Sequence, residues 1–319
     1  MMRIIDMHCD TLLEGYLKNQ HLRRNKLSVD FETMKKNEAL GQFFAIFLPT
    51  GSEAKADGID EKPYELFRKL VEFYEKEMKE NSDLIIPALS YDDVITNKIN
   101  NKMSAILTVE DGQLLENKIE RLDELYRKGV RLLTLTWNNE NCIGYPANIN
   151  EEEHMRGLKL FGIQTVKRMN ELGMIVDVSH LSEGGFYDVA KHSNKPFIAS
   201  HSCARTLCNH PRNLTDRQLK CIAESGGIVG VNFNASFLRE NSSKTFAEDV
   251  VEHIRYMVSV MGDEYVAFGS DFDGIDCNME FGNYIFYREV VCRLEKIFSD
   301  ETVEKICCKN VLRILKECL

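Results

Sequence analysis

The amino-acid sequence predicts an α/β chain folded as a (β/α)8 TIM barrel with a C-terminal helical extension. Three observations carry this reading. Short apolar β-type runs alternate with longer amphipathic segments along all 319 residues, the pattern of repeated strand–helix units. The runs GVRLLTLT at 129–136, GMIVDVS at 173–179 and GGIVGVNF at 226–233 are near-continuously apolar, as parallel strands covered by helices should be. Gly129, Gly173 and Gly226 each stand before one of these runs, where a helix C-terminal stop belongs.

Taken in order, the strands are placed at Arg3–His8, Gln42–Leu48, Met103–Val109, Val130–Thr136, Met174–Val178, Pro196–His201, Gly227–Phe233 and Tyr265–Ser270. Helices are placed between them at Glu61–Glu80, Ile119–Lys128, Met155–Leu172, Gly184–Lys191, Asp216–Glu224 and Phe246–Met261. Two more, Tyr284–Phe298 and Asp300–Lys316, follow the last strand and form the extension. The irregular stretches Leu22–Glu32 and Asn138–Glu153 are read as ordered loops. Eight repeats fit a closed barrel, commonly of about 250 residues or more, better than an open doubly wound sheet. No Gly-x-Gly-x-x-Gly follows the first strand and no P-loop motif occurs, so nucleotide-binding folds lack support. With no low-complexity linker, residues 1–319 are read as a single domain.

Composition narrows the function classes. A formal net charge of −10 and a pI near 5.4 argue against a nucleic-acid partner, and Lys18–Lys26 is only a local basic patch. The 10 cysteines are scattered, without a CxxC pair. The chain opens almost directly on its first strand, and no apolar run approaches the ~20 residues of a membrane span. A cytoplasmic protein with reduced thiols and no membrane partner is expected.

Catalytic groups of such barrels sit at the C-terminal ends of the strands. Those ends carry His8 and Asp10, Glu110 and Asp111, Trp137 and Asn138, His180, His201, and Asp271 and Asp273. His8 and Asp10 are two positions apart, a spacing that puts both side chains on one side of a strand, with Cys9 on the other as packing. Any one of these residues alone is more economically a helix cap or a hydrogen-bonded structural group. Three histidines and several carboxylates at equivalent places in a repeating topology point instead to two divalent ions about 3.5–4 Å apart. Imidazole and carboxylate donors without thiolate favour zinc, with manganese or cobalt as substitutes.

The motifs at these places resemble those of the membrane dipeptidase (renal dipeptidase) family of metallopeptidases, within the amidohydrolase-type, metal-dependent barrel hydrolases. The resemblance runs through IDMHCDTL at 5–12, GQFFAIFLP at 41–49, LTVEDG at 107–112, LTLTWN at 133–138, MNELGMIVDVSHLS at 169–182, SHSCAR at 200–205, HPRNL at 210–214, VNFNASF at 231–237, GSDFDG at 269–274 and NVLRIL at 310–315. It implies two Zn2+ per chain, with His8 and Asp10 on one ion, His180 and His201 on the other, and Glu110 bridging both. It further implies Asp271 as the acid/base group beside a bridging water, Arg212 as the anchor of the substrate's terminal carboxylate, dipeptides (L,D-dipeptides among them) as substrates, and a homodimer.

The chain departs from that pattern at several points. Trp137 stands where mammalian members carry a substrate-contacting histidine, and an indole offers an N–H donor but no exchangeable charge. Phe237 replaces an expected tyrosine, so Trp137, Asn138 and Phe237 are substrate-binding candidates whose preferences do not carry over. The segment IDCNMEFGNY after GSDFDG is short, and CCKN at 307–310 lacks a glycine-rich approach to NVLR. The secretion and lipid anchor of mammalian members find no signal here. Two other readings compete: a related dinuclear hydrolase of another amide, lactone or phosphoester, and a non-catalytic binding protein on the same fold. A His-x-His opening would favour the first, and a lost ligand the second.

Overall fold

The computed structural model describes residues 2–319. Its strands in chain order are β1 (Ile4–Asp6), β2 (Ala39–Phe47), β3 (Ile85–Pro87), β4 (Met103–Glu110), β5 (Val130–Thr134), β6 (Ile175–Asp177), β7 (Phe197–Ser202), β8 (Val229–Val231), β9 (Lys244–Thr245), β10 (Val266–Phe268) and β11 (Asn278–Met279). Eight of these form a parallel ring in the order β2–β1–β10–β8–β7–β6–β5–β4, and the pairing of β2 with β4, from Gly41↔Ser104 to Phe47↔Glu110, closes it. The expected barrel is thus the one that forms. Sequence reading missed β3, which pairs only with the first part of β4, and the small β9–β11 ribbon.

Strand alternation divides the core into two shells. Ile5, Met7, Phe43, Ile106, Leu132, Ile175, Ile198, Ile228 and Ala267 fill the barrel interior, where Val311, Ile314, Leu315 and Cys318 of the last helix join them. That helix therefore covers the N-terminal mouth of the barrel. The opposite faces of the same strands, with Met103, Ala105, Leu107 and Val109 of β4 as an example, pack against the surrounding helices. Each fully buried Leu or Ile contributes about 1.5–3 kcal/mol.

The helices follow the predicted periodicity with informative differences. Pro63–Glu80, Glu120–Arg127, Glu183–His192, Asp216–Glu224 and Ala247–Met261 lie within two residues of expectation at either end. The helix expected from Met155 begins at Leu160, because Asp188 accepts from Leu158 N–H at 2.8 Å and holds residues 155–159 off the helix. The expected Asp300–Lys316 helix is interrupted by a π turn over Lys305–Lys309. The helices Thr11–Leu17, Phe31–Lys36 and Tyr91–Ile99 were not anticipated. Gly129, Gly173 and Gly226 all have positive φ, and Gly173 ends the helix Leu160–Leu172 in the left-handed region, as their places before strands predicted. Among the described residues no helix is long and apolar enough to cross a membrane.

Candidate metal centre

The C-terminal mouth of the barrel brings six of the singled-out side chains together. Glu110 closes β4 on the face of Ser104, Ile106 and Thr108, so alternation alone turns it inward. The other placements need irregular backbone. Strand β1 stops at Asp6, and the expected regular alternation does not reach His8; a bend at Met7 and a bridge from Cys9 to Phe272 carry His8 and Asp10 to the same side. In β7, Phe197 and Ala199 face the helices, and regular alternation would send His201 outward with them. A register shift between Ala199 and Ser202 turns it into the mouth, the usual effect of a bulge. His180 and Asp271 have φ of 66° and 63°, a left-handed conformation that costs a non-glycine residue on the order of 1–3 kcal/mol and clusters at functional sites.

The donor atoms form two sets that share one carboxylate. His8 Nε2 lies 3.4 Å from Asp10 Oδ2 and 3.6 Å from Glu110 Oε2. Glu110 Oε1 lies 3.1 Å from His180 Nε2 and 3.4 Å from His201 Nε2, and those two nitrogens are 3.0 Å apart. Donors on a tetrahedral zinc at about 2.0–2.2 Å stand about 3.3–3.6 Å from one another. The His8 separations match that spacing, and the His180–His201 set is slightly tighter, at 3.0–3.4 Å. Both nitrogens of His8, Oδ1 of Asp10 and Oε1 of Glu110 have no hydrogen-bond partner, a costly arrangement for buried polar atoms unless a cation satisfies them. The residues therefore fit a dinuclear centre.

Burial alone would lower His8, but Glu110 and Asp10 hold it well above its ordinary value, so a metal bound there would displace a proton. Burial, together with Glu110 and Asp271, pushes the Asp10 carboxyl up against the opposing pull of His8. Burial and Glu110 likewise raise Asp271. Burial acts on Glu110 in the same sense, but the imidazoles of His8 and His180 hold it well below the ordinary carboxylate range. Burial lowers His180 to about 4 and His201 well below its ordinary value, which keeps both neutral, the form that donates to a metal.

Above these donors lies a cavity of about 280 Å³ lined by Asp10, Glu110, His180 and Asp271 below, and by Phe47, Trp137, Asn138, His210, Arg212, Asn234, Phe237 and Gly274 around it. All the predicted substrate-binding candidates line it. Trp137 packs on Phe47 at 4.7 Å between ring centroids. Asn138 Oδ1 accepts from His180 Nδ1 at 3.0 Å. Arg212 is buried, and its Nε and Nη2 have no partner. Its guanidinium lies 5.4 Å from the Phe237 ring centroid. The Arg212 loop is held by Arg205, which donates to Asn213 O at 2.8 Å and Pro211 O at 3.1 Å. Asp273 stands apart, accepting from Thr11 Oγ1 at 2.6 Å and Ser28 N–H at 2.7 Å. Asp111 caps the turn at Gly112.

Sequence reading missed Phe47, Asn232, Asn234 and Gly274. Asn232 Nδ2 donates to Asp271 Oδ2 at 2.9 Å. Phe47 and Asn232 lie at the ends of the second and seventh strands, so extending the strand-end reading to those two would have found them. A Cβ on Gly274 would stand 1.9 Å from Asp10 Oδ2 and 2.7 Å from Asp271 Oδ1.

Comparison with known proteins agrees across the whole length. The sequence profile of the membrane dipeptidase family, peptidase family M19, matches residues 1–318. An uncharacterized dipeptidase of Schizosaccharomyces pombe is 31% identical over 337 aligned positions, covering 99% of this chain and 80% of the yeast protein. The crystal structure of a family M19 metallopeptidase, dipeptidase AC, superposes with a TM-score of 0.88 at 25% identity, covering 99% of this chain and 98% of that one. A metallopeptidase from Rhodobacter sphaeroides, solved with a phosphinate mimic of the dipeptide L-Ala-D-Ala, gives 0.89 at 24% identity over 100% of this chain and 99% of that one. At that identity the likeness is one of fold.

Proposed function

This chain belongs to the membrane dipeptidase family and is a metallo-dipeptidase, and from that premise we propose that it hydrolyses dipeptides with two zinc ions. His8, Asp10 and Glu110 would hold one ion, and Glu110, His180 and His201 the other. The observation that carries the proposal is the pair of donor sets joined through the two oxygens of Glu110, with donor atoms 3.0–3.6 Å apart, close to the edge lengths of a tetrahedral site. Two such ions supply a polarised peptide carbonyl and a water acidified to near neutrality.

The chain's own groups do the rest. Asp271, held by Asn232 and 3.7 Å from His8 Nε2, takes the proton of the attacking water on Oδ1 and passes it to the leaving amine. Arg212 presents an unpartnered Nε and Nη2, the side of the guanidinium that grips a carboxylate with two parallel hydrogen bonds. A substrate with a free carboxylate close to its scissile bond is thereby preferred, and a cavity of about 280 Å³ suits a short one. Phe47, Trp137 and Phe237 give it apolar walls. L,D-dipeptides belong in the substrate set, by analogy with the L-Ala-D-Ala mimic held by the Rhodobacter enzyme. Ten free cysteines fit a reducing compartment, so we place this enzyme, as one domain and a homodimer, in the cytoplasm.

Metal content and turnover of L,L and L,D dipeptides test the proposal together. About two zinc ions per chain with dipeptide hydrolysis are expected. Full zinc loading without hydrolysis of any dipeptide would remove the substrate assignment. Light scattering on a sizing column decides the dimer.

A further inference from the structure

One buried carboxylate close to the metal centre takes no part in the chemistry above. Asp177 ends β6 and is fully buried. Its Oδ1 accepts from the backbone N–H of Ser179 at 3.0 Å and of Ser200 at 2.8 Å. Its Oδ2 accepts from Thr134 Oγ1 and from Ser200 Oγ, both at 2.6 Å. Four donors converge on one side chain, an arrangement that an acceptor-only carboxylate satisfies completely.

The consequence falls on Ser200. Its single hydroxyl proton goes to Asp177, so Ser200 Oγ meets its other neighbours only as an acceptor. Those neighbours are His201 Nδ1 at 2.7 Å and Ser179 Oγ at 3.3 Å. Ser179 Oγ in turn accepts from the His201 backbone N–H at 3.1 Å, which leaves its own proton for Ser200. Both hydroxyl protons are then used, and the lone pair left on Ser200 Oγ takes a proton from His201 Nδ1.

We propose that Asp177, acting through Ser200 Oγ, fixes His201 as the Nδ1-protonated tautomer and so leaves Nε2 bare for the ion shared with His180 and Glu110. Asp177 and Ser200 are positioning residues in this scheme, and the proposal rests on the dinuclear reading above. On the facing side of the ring, Asn138 Oδ1 accepts from His180 Nδ1 at 3.0 Å, which bares the Nε2 of that histidine as well. Two bare nitrogens 3.0 Å apart repel each other until a cation sits between them.

The barrel contains a second Asp–Ser pair of the same geometry that serves as an internal control. Asp6 at the end of β1 accepts from Ser270 N–H at 2.8 Å and Ser270 Oγ at 2.7 Å. That hydroxyl lies 3.2 Å from the carbonyl oxygen of His8 and reaches no imidazole. It locks the strands that carry His8 and Asp271 without setting a tautomer.

The test combines nitrogen-15 NMR of the histidines in the metal-free protein with zinc competition against a chelator. In the unaltered protein His201 is expected to carry its proton on Nδ1. Ser200→Ala should mix the tautomers and weaken one of the two zinc ions by about 10–100-fold, the usual range for loss of a group that orients a ligand. Ser200→Thr, which keeps the hydroxyl, should restore both readouts. Ser270→Ala should leave the His201 tautomer and that ion's affinity as they are. A proton on Nε2 of His201 in the unaltered protein, or parent affinity for both ions in Ser200→Ala, would overturn the proposal. Should Ser200→Ala fail to fold, the tautomer of the unaltered protein decides alone. An unaltered protein that takes up no metal, yet shows His201 protonated on Nδ1, would instead count against the dinuclear reading.

Discussion

Gly274 is where the candidate centre is least tolerant of an added atom. Its missing Cβ lets Asp10 and Asp271 face each other across the turn of GSDFDG. Gly274→Ala is expected to displace both carboxylates and remove at least one zinc ion per chain, measured by metal analysis of the purified variant. Asp271→Asn keeps the size and the Asn232 contact but cannot accept the proton. It should keep its zinc and lose about 10²–10⁴-fold in kcat, the range for a positioned acid/base group. Arg212→Lys exchanges a fork for a point charge, so kcat/KM for dipeptides should fall by about 10–100-fold, the worth of one charge-assisted hydrogen bond. Unchanged kcat/KM in that variant would remove Arg212 from the substrate contacts.

The barrel strands were legible because parallel strands buried on both faces must be apolar on both faces, and GVRLLTLT or GGIVGVNF leave few other readings. The short strand Ile85–Pro87 was not, since three residues ending in proline carry no periodicity. The helix Tyr91–Ile99 buries only Val94 among its apolar residues, too sparse a stripe to mark a helix. The residues of the centre were legible for their chemistry more than for their geometry. His201 reaches the mouth through a bulge, and His8 through a bend after the strand has ended, and neither feature has a sequence signature. The π turn at Lys305–Lys309 is another such case. Its consecutive residues Cys307 and Cys308 face different shells of the core. Just beyond it, Asn310 Nδ2 donates to Asp263 O at 2.7 Å and Val266 O at 2.8 Å. Asn310→Leu strands both carbonyls and should lower unfolding free energy by about 2–4 kcal/mol, read from the urea midpoint, with zinc content unchanged.

Across the whole molecule, protonation couples distant elements. His253 on the helix Ala247–Met261 accepts from Ala204 N–H at 3.1 Å and donates to Leu238 O at 3.0 Å, so it is neutral in the fold. Burial lowers its pKa from the ordinary 6.5. The folded chain then binds fewer protons than the unfolded one below that value. The stabilisation is complete above pH 6.5 and fades as pH falls toward the lowered value. Between pH 7 and 5 stability should therefore drop with acidification, and His253→Gln should make that slope shallower by up to about 1.4 kcal/mol per pH unit. A variant with the parent slope would show that His253 does not titrate on unfolding. Metal is the larger lever. Chelation at pH 7.5 leaves Asp10, Glu110 and Asp271 crowded around one imidazole, so Tm should fall and return on adding zinc.

The helix that covers the N-terminal mouth has a consequence for how the chain is made. Every donor of the centre lies between His8 and Asp271, whereas Val311, Ile314 and Leu315, which fill the floor, come some forty residues later. A ribosome that has exposed the eighth barrel strand has delivered the complete metal-binding end of a vessel that is still open below. Until the last turns emerge, Ile5, Ile106, Leu132 and Ile198 face water through that opening. During synthesis the floor of the barrel, far from the chemistry, is the surface that a chaperone would have to guard.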